Sequence, residues 1–394
     1  MATRRTWLTT ALAAGLAGCK KADDESGPGL LGKPVSAYGE RSAFETAARA
    51  VPDTRYPETS ASRTPLQDSC GILTPSSLHY ERHHAGVPKI DPAQHRLLIH
   101  GLVDRPLVFT MEDLRRLPSV SRIYFLECSG NGGSEWSGAG ARNAAMSHGL
   151  ASCSEWTGVP LSLLLAEAGV QNAAKWLIVE GADACKMQRS LPIEKAAGDT
   201  LVAWGQNGEA LRPEQGYPLR LIVPGWEGNI NVKWLRRIDA VAEPYMLRDE
   251  TSHYTDPMPD GTARIFTFMM DAKSLITYPS GGHKLKSPGF VEISGLAWTG
   301  RGRIERVEIS TDGGQTWSDA TLQEPRLPMA FTRFRYPWQW DGSQADLQSR
   351  CTDESGYVQP TRAALIEARG ANSVYHCNAI KSWKVAADGS VTNA

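Results

Sequence analysis

Residues 121–133 read as a β-strand that ends in a thiol and runs without a break into glycine. Ser121 to Cys128 alternates in polarity and is rich in β-forming residues, and Ser129-Gly130-Asn131-Gly132-Gly133 follows at once. A side chain at a strand end projects into the space beyond the sheet, and small residues after it let a bulky ligand approach the backbone. Cysteine is a nucleophile or metal ligand only as its thiolate, so Cys128 would need a neighbouring positive charge or a metal. The same spacing suits a buried structural cysteine in a tight turn, and the local pattern leaves both readings open. The chain has no Cys-x-x-Cys and no Cys-x-x-Cys-His, which removes thioredoxin chemistry, zinc ribbons and c-type haem attachment. It also lacks the glycine-rich phosphate loops of nucleotide-binding folds.

Charge narrows the field further. The 394 residues carry 42 Lys and Arg against 43 Asp and Glu, a net charge of -1. Nucleic-acid binding needs a surplus of cations against phosphate, so that class is not expected. A small anionic substrate needs only a few local arginines and stays open. The length suits about two or three domains. The 12 Trp, 37 Gly and 24 Pro point to loops and short strands rather than a helical bundle. Seven cysteines are too sparse for a disulfide scaffold.

Residues 66–261 mix strands and helices without regular alternation, which predicts an α+β domain rather than a doubly wound one. Strands are expected near 97–101, 176–180 and 219–223. Thr110 caps one expected helix, and 159–169 forms another with Pro near its start and Gly at its end. From 262 to 394 the texture changes to short alternating strands, at 290–298, 303–310, 330–336 and 381–385, with another near Tyr375. Glycine turns such as Asp312-Gly313-Gly314 join them, the pattern of an immunoglobulin-like β-sandwich. Residues 20–65 are polar and rich in Gly, Pro, Ser and Asp, and read as a linker or arm.

Residues 1–19 read as an export signal. Arg4-Arg5 precedes an apolar stretch, Trp7 to Ala17, too short to span a bilayer, which takes about 20 residues. The arginine pair resembles a twin-arginine signal, which implies a periplasmic protein that crosses the membrane already folded. Leu16-Ala17-Gly18-Cys19 also resembles a bacterial lipoprotein cleavage box, in which Cys19 would carry a lipid anchor.

Two more segments could carry chemistry. Tyr80-Glu81-Arg82-His83-His84-Ala85-Gly86-Val87-Pro88 sets an arginine and two histidines in one loop, which suits phosphate or another oxyanion. A solvated basic loop has the same pattern. Gly216-Tyr217-Pro218-Leu219-Arg220 sends an arginine into a buried strand, where it must meet an anion, and a structural ion pair would also satisfy it.

Together these segments resemble the sulfite oxidase family of molybdenum enzymes, over residues 66–385. Cys128 in Glu-Cys-Ser-Gly-Asn is similar to the cysteine that ligates molybdenum there. Arg82-His83-His84 resembles the Arg-Asn-His cofactor loop, with His83 in place of Asn. Glu180-Gly181-Ala182-Asp183 resembles the segment whose Asp contacts the pterin. Gln215 stands where many members have His, and Arg220 and Asn231-Val232-Lys233-Trp234 resemble the remaining pterin and phosphate contacts. Trp298-Thr299-Gly300-Arg301-Gly302 and Ser310 to Trp317 resemble the C-terminal dimerisation domain. Thr251 to Asp256 and Asn207 to Tyr217 are most similar to the branch of sulfane or sulfite dehydrogenases of the bacterial Sox system. Sulfite oxidases carry Arg after the Asn of the cysteine loop, where this chain has Gly132 and Gly133. Less positive charge there favours a sulfane sulfur on a carrier protein over free sulfite.

The resemblance implies a molybdenum–molybdopterin cofactor, with Cys128 as metal ligand. It places Tyr80, Arg82, His83, His84, Asp183, Gln215, Arg220, Asn231, Val232 and Lys233 around the pterin. It implies two-electron oxidation of a sulfur compound, with Arg82 and Arg369 steadying the anion and Tyr254 donating a hydrogen bond near the metal. With no haem expected in this chain, electrons would pass to a c-type cytochrome, and the C-terminal domain implies a homodimer. Two other readings stay open. One is a periplasmic molybdopterin sulfoxide reductase, typically a single domain, against which the sandwich argues. The other is a non-enzymatic carrier or binding protein with a structural Cys128. Cys70, Cys153, Cys185, Cys351 and Cys377 are expected as packed small hydrophobes, with Cys351–Cys377 the candidate disulfide.

Overall fold

The computed structural model describes residues 32–394. The export signal and Cys19 lie outside them. The chain divides into two compact units, Met1–Thr46 and Ala47–Ala394. The described part of the first, residues 32–46, contains turns but no helix or strand.

The second unit starts earlier than the sequence suggests. Ala61–Ser62 pairs antiparallel with Glu81–Arg82, and Ala50 and Arg63 exchange two backbone hydrogen bonds of 2.9 Å. Within the segment 20–65 expected as a linker or arm, residues 50 and 61–63 thus make regular backbone pairs. The cause is Glu81. Its carboxylate pairs with Arg49 and accepts from Ser62 Oγ at 3.3 Å, so a polar segment finds partners that no local pattern reveals.

Two five-stranded sheets follow within residues 96–241. One runs in the order Leu107–Thr110, Arg96–Gly101, Leu235–Val241, Trp176–Gly181, Gln188–Pro192, with only the Arg96–Gly101 and Leu235–Val241 pair parallel. Its apolar face, Leu97, Ile99, Leu177, Val179 and Ile238, packs on the helix Leu161–Ala168. That helix begins two residues later than predicted because the strand Ala151–Pro160 runs up to it. It stops at Gly169, whose φ of 66° is left-handed. Thr110 caps Met111–Arg116 through a capping box with Asp113, as predicted. The other sheet runs Glu209–Ala210, Leu201–Gln206, Ala151–Pro160, Val120–Glu127, with Arg220–Ile222 also pairing Leu201–Gln206.

Two antiparallel sheets follow. Lys273–Tyr278, Gly289–Trp298, Thr332–Trp340 and Thr321–Leu322 form the first. Ser318–Asp319, Ile304–Ser310, Ala345–Asp353, Ser382–Val385 and Val391–Asn393 form the second. Ile293, Trp298, Phe334, Val307, Ile309, Leu347 and Trp383 fill the space between them. Phe125, Ala151 and Cys153 of the preceding sheets belong to the same cluster, so the sandwich core continues into the strand that leads to Cys128. Tyr375 lies in a loop rather than a closing strand, with its ring 5.5 Å from that of Tyr254. The six cysteines of the described residues are free thiols, so Cys351 and Cys377 are not bridged. Cys70 is exposed and Cys185 half-buried, unlike the packed residues expected.

Candidate cofactor site

The strand Val120–Glu127 is buried over its last four residues, and Cys128 leaves it at the floor of a cleft. The Cys128 N–H donates to Leu150 O at 2.9 Å, and its carbonyl accepts from Asn131 N–H at 2.9 Å, so the turn folds back over its own start. Gly228 closes the other side. A Cβ there would lie 2.7 Å from Tyr80 Oη and 3.2 Å from Cys128 Cα, so only glycine fits. Tyr80, Arg82, His83, His84, Cys128, Asp183, Gln215, Arg220, Asn231, Val232, Lys233 and Tyr254 all line this cleft, which encloses about 670 Å³ including its open mouth. Burial pushes the Cys128 thiol up, partly offset by the Gly130 N–H and Arg82. Unligated it keeps its proton, and a metal cation would displace it.

Three cations converge here. Arg220 is buried and stacks 4.8 Å above the Trp156 ring. Its Nη1 donates to Gln215 O at 2.9 Å and its Nη2 to Asn231 O at 3.2 Å, both uncharged, while its Nε has no partner. Burial pushes Arg220 down to about 10. Burial, with Arg220 close by, also pushes Lys233 down to about 7. Lys233 Nζ donates to Arg82 O at 3.2 Å and Glu214 O at 3.1 Å. The Arg82 guanidinium donates to Thr59 O at 3.0 Å and to His83 O. Buried Arg220 meets only carbonyls and so lacks a counter-ion, which fits an anionic group such as a phosphate in the cleft.

The histidines stay neutral. Lys233 Nζ donates to His83 Nδ1 at 2.8 Å, so the ring carries its proton on Nε2 and donates it to Glu81 Oε2 at 2.7 Å. His83 thus ties the cofactor loop to Lys233 and Glu81. His84 Nε2 lies 2.8 Å from Tyr254 Oη, and burial followed by Arg82 pushes His84 down to about 4. Gln215 Nε2 donates to Tyr80 O at 2.9 Å. Asp183 accepts from Cys185 Sγ at 2.8 Å and from Met187 N–H at 3.1 Å.

Two expectations are modified. Asn231 faces the cleft, but its Oδ1 accepts from Val223 N–H at 2.7 Å and its Nδ2 donates to Glu227 O at 3.0 Å. Its side chain shapes the loop, and its carbonyl serves Arg220. Arg369 is not among the cleft residues. It is buried and donates from Nη2 to Asp256 Oδ2 at 3.0 Å, because a desolvated guanidinium takes the nearest carboxylate.

Sequence reading missed the charges behind the cleft. Arg189 is fully buried, 3.0 Å from Glu227 and 3.4 Å from Glu250, with its guanidinium 4.9 Å from the Tyr254 ring centroid. Glu227 also pairs with His376 at 3.2 Å and accepts from Asn229, which reaches Ser129 Oγ at 3.2 Å. An arginine inside the otherwise β-like run Gln188–Pro192 was the one visible signal.

Among the described residues, no three His, Cys, Asp or Glu side chains are grouped to hold a metal ion. One cleft thiol and three cations do not make a nest for a bare ion. They fit a metal that arrives in an organic, anionic cofactor supplying its own soft ligands. The sequence comparisons agree. Residues 84–247 match the oxidoreductase molybdopterin binding domain, and residues 264–383 match the Mo-co oxidoreductase dimerisation domain. Fold and cleft together define a molybdopterin oxidoreductase domain joined to a dimerisation domain. The chain belongs to the sulfite oxidase family of molybdoenzymes, and its cofactor is molybdenum–molybdopterin. It is 30% identical to the sulfite oxidase of Gallus gallus over 325 residues, covering 75% of this chain and 70% of the relative. It is 32% identical to a nitrate reductase [NADH] of Arabidopsis thaliana over 354 residues, covering 74% of this chain but 36% of that enzyme. The chain thus spans little more than a third of the nitrate reductases it matches. Among solved structures, that of the sulfane dehydrogenase SoxCD from Paracoccus pantotrophus has a TM-score of 0.91 and 48% identity, covering 94% of this chain and 97% of that one.

Proposed function

We propose that the protein oxidises a sulfur compound at a molybdenum centre ligated by Cys128 and passes the electrons to a c-type cytochrome. One oxygen atom from water is added to sulfur, two protons are released, and two electrons leave singly to the cytochrome. The cofactor supplies the oxygen-atom transfer and the redox chemistry. The chain's residues bind, orient and desolvate. Arg220 and Lys233 hold anionic groups of the pterin. Arg82, which lines the same cleft as Cys128, draws an anionic substrate toward it. Tyr254, backed by Arg189 and fixed by His84, offers a hydroxyl to the substrate oxygens.

The observation that carries this reading is the half-buried Cys128 thiol in one cleft with Arg82, Lys233 and the buried Arg220, whose guanidinium meets carbonyls and no carboxylate. A sulfane sulfur carried on a partner protein is favoured over free sulfite. The loop after Asn131 has glycines where sulfite oxidases place arginine, and a Cβ at Gly133 would already lie 3.3 Å from Val374 O. The likeness to a sulfane dehydrogenase points the same way. The dimerisation-domain match supports a homodimer, and the arginine pair at residues 4–5 supports periplasmic export. Steady-state assays with sulfite, thiosulfate and a sulfane-loaded carrier, each with cytochrome c as acceptor, test the proposal. Turnover is expected with the loaded carrier above the others. No turnover with any of the three from molybdenum-replete protein refutes it.

A further inference from the structure

We infer that Glu127 is a positioning residue for Cys128 and that Lys273 and Trp298 of the sandwich hold it in place. Neighbouring residues at a strand end point to opposite sides. Cys128 faces the cleft, and Glu127, fully buried, faces the sandwich. There Lys273 Nζ donates to its Oε1, and Trp298 Nε1 donates to its Oε2 at 2.7 Å. Lys273 and Trp298 are direct partners in the register of Lys273–Tyr278 and Gly289–Trp298, and are 1% and 0% exposed. Asn131 Nδ2 donates to the same Oε1 at 2.8 Å, while Asn131 Oδ1 accepts from Leu150 N–H at 3.0 Å. The carboxylate therefore grips both ends of the turn that carries the thiol. Two residues upstream, Phe125 N–H donates to Met329 O at 2.9 Å, so the outer edge of this strand is also held by the sandwich.

A carboxylate, an ammonium and an indole N–H removed from water are costly unless each meets its partners, and here they meet one another. Such a set tolerates one arrangement of the Cys128 turn and resists others. The module that matches a dimerisation domain is, on this inference, also part of the metal site. The inference rests on Cys128 as metal ligand, but the contacts are independent of the metal.

The test uses full-length protein, cofactor-free and cofactor-loaded, as wild type and as Trp298→Phe and Lys273→Met. Trp298→Phe removes the N–H donor and keeps an aromatic ring, though a smaller one, and leaves the Lys273–Glu127 ion pair in place, so it stays informative where Lys273→Met fails to fold. Alkylation of each cysteine in the cofactor-free protein is read by mass spectrometry. Cys128 is expected to react roughly tenfold to a hundredfold faster in the variants, the ratio carried by one hydrogen bond to a charged group. Buried Cys153 and Cys351 stay as protected as in wild type. In cofactor-loaded protein the same variants retain less molybdenum, and X-ray absorption finds a weaker sulfur shell from the protein. An unchanged Cys128 rate in both variants overturns the inference. So does a rise of Cys128, Cys153 and Cys351 together, because the contacts then merely support the fold. An altered Cys128 rate in a protein whose molybdenum never shows the cysteine sulfur would sink the ligand assignment and leave the clamp standing.

Discussion

His84 Nε2 and Tyr254 Oη lie 2.8 Å apart, joining two cleft residues separated by 170 positions. With its proton on Nε2, the neutral imidazole donates to the phenol oxygen, which orients the hydroxyl and leaves the phenol proton free for substrate oxygens. Tyr254→Phe should keep molybdenum content and fold. It should lower kcat roughly tenfold or more, as expected for one lost hydrogen bond at the reacting centre. Unchanged kcat with the natural substrate would remove Tyr254 from the site.

Cys128→Ser should abolish metal binding rather than weaken it. An alkoxide is a poor substitute for a soft thiolate, and among the described residues no other group stands ready as a metal site. Elemental analysis should give about one molybdenum per wild-type chain and a small fraction of that in the variant.

Arg220→Met tests the pterin side of the cleft. Its guanidinium meets only carbonyls, so the fold should survive its loss, while an anionic cofactor loses its buried counter-charge. Cofactor retention after gel filtration should fall roughly tenfold or more. Retention at the wild-type level would mean that the anion sits elsewhere.

Arg82→Ala should raise KM for an anionic substrate by about tenfold and cost the fold little, because the side chain is only half-buried and bonded to carbonyls. Equal catalytic parameters in both proteins would exclude it from substrate binding.

Stability should fall with acid in a way two histidines explain. Burial holds His148 well below the ordinary 6.5 and His79 at about 3. Below pH 6.5 the unfolded chain takes up these protons and the folded chain does not. The stabilisation is therefore complete above 6.5 and is lost as pH falls from there toward each folded value. Each histidine adds a slope of about 1.4 kcal/mol per pH unit in that window. Urea midpoints between pH 7 and 5 should decline, and His148→Gln should flatten the decline. Parallel curves for the two proteins would contradict the assignment.

The thiol at a strand end before glycine was legible locally, because alternation and glycine are local signals. So were the capped helix at Thr110 and the sandwich strands, apart from Tyr375. That Arg82, His84, Lys233 and Tyr254 share one cleft was legible only through family resemblance, since nothing in their spacing brings them together. Arg369 shows the limit. An arginine at a helix end reads the same whether it faces a substrate or Asp256, 113 positions away. Glu127 and Lys273 lie 146 positions apart, and each alone reads as an ordinary surface charge. The pairing of Arg49 and Ser62 with Glu81 was not legible in the segment 20–65 for the same reason.

His376 donates its backbone N–H to Ser129 O at 2.7 Å, and the carbonyls of Val374 and Cys377 back onto Gly133 and Gly132. A ribosome finishes residue 133 long before residue 376 exists. The loop bearing the thiol therefore gains these backing contacts only after residues 374–377 have been made. Until then the thiol stands on a loop that lacks its outer support.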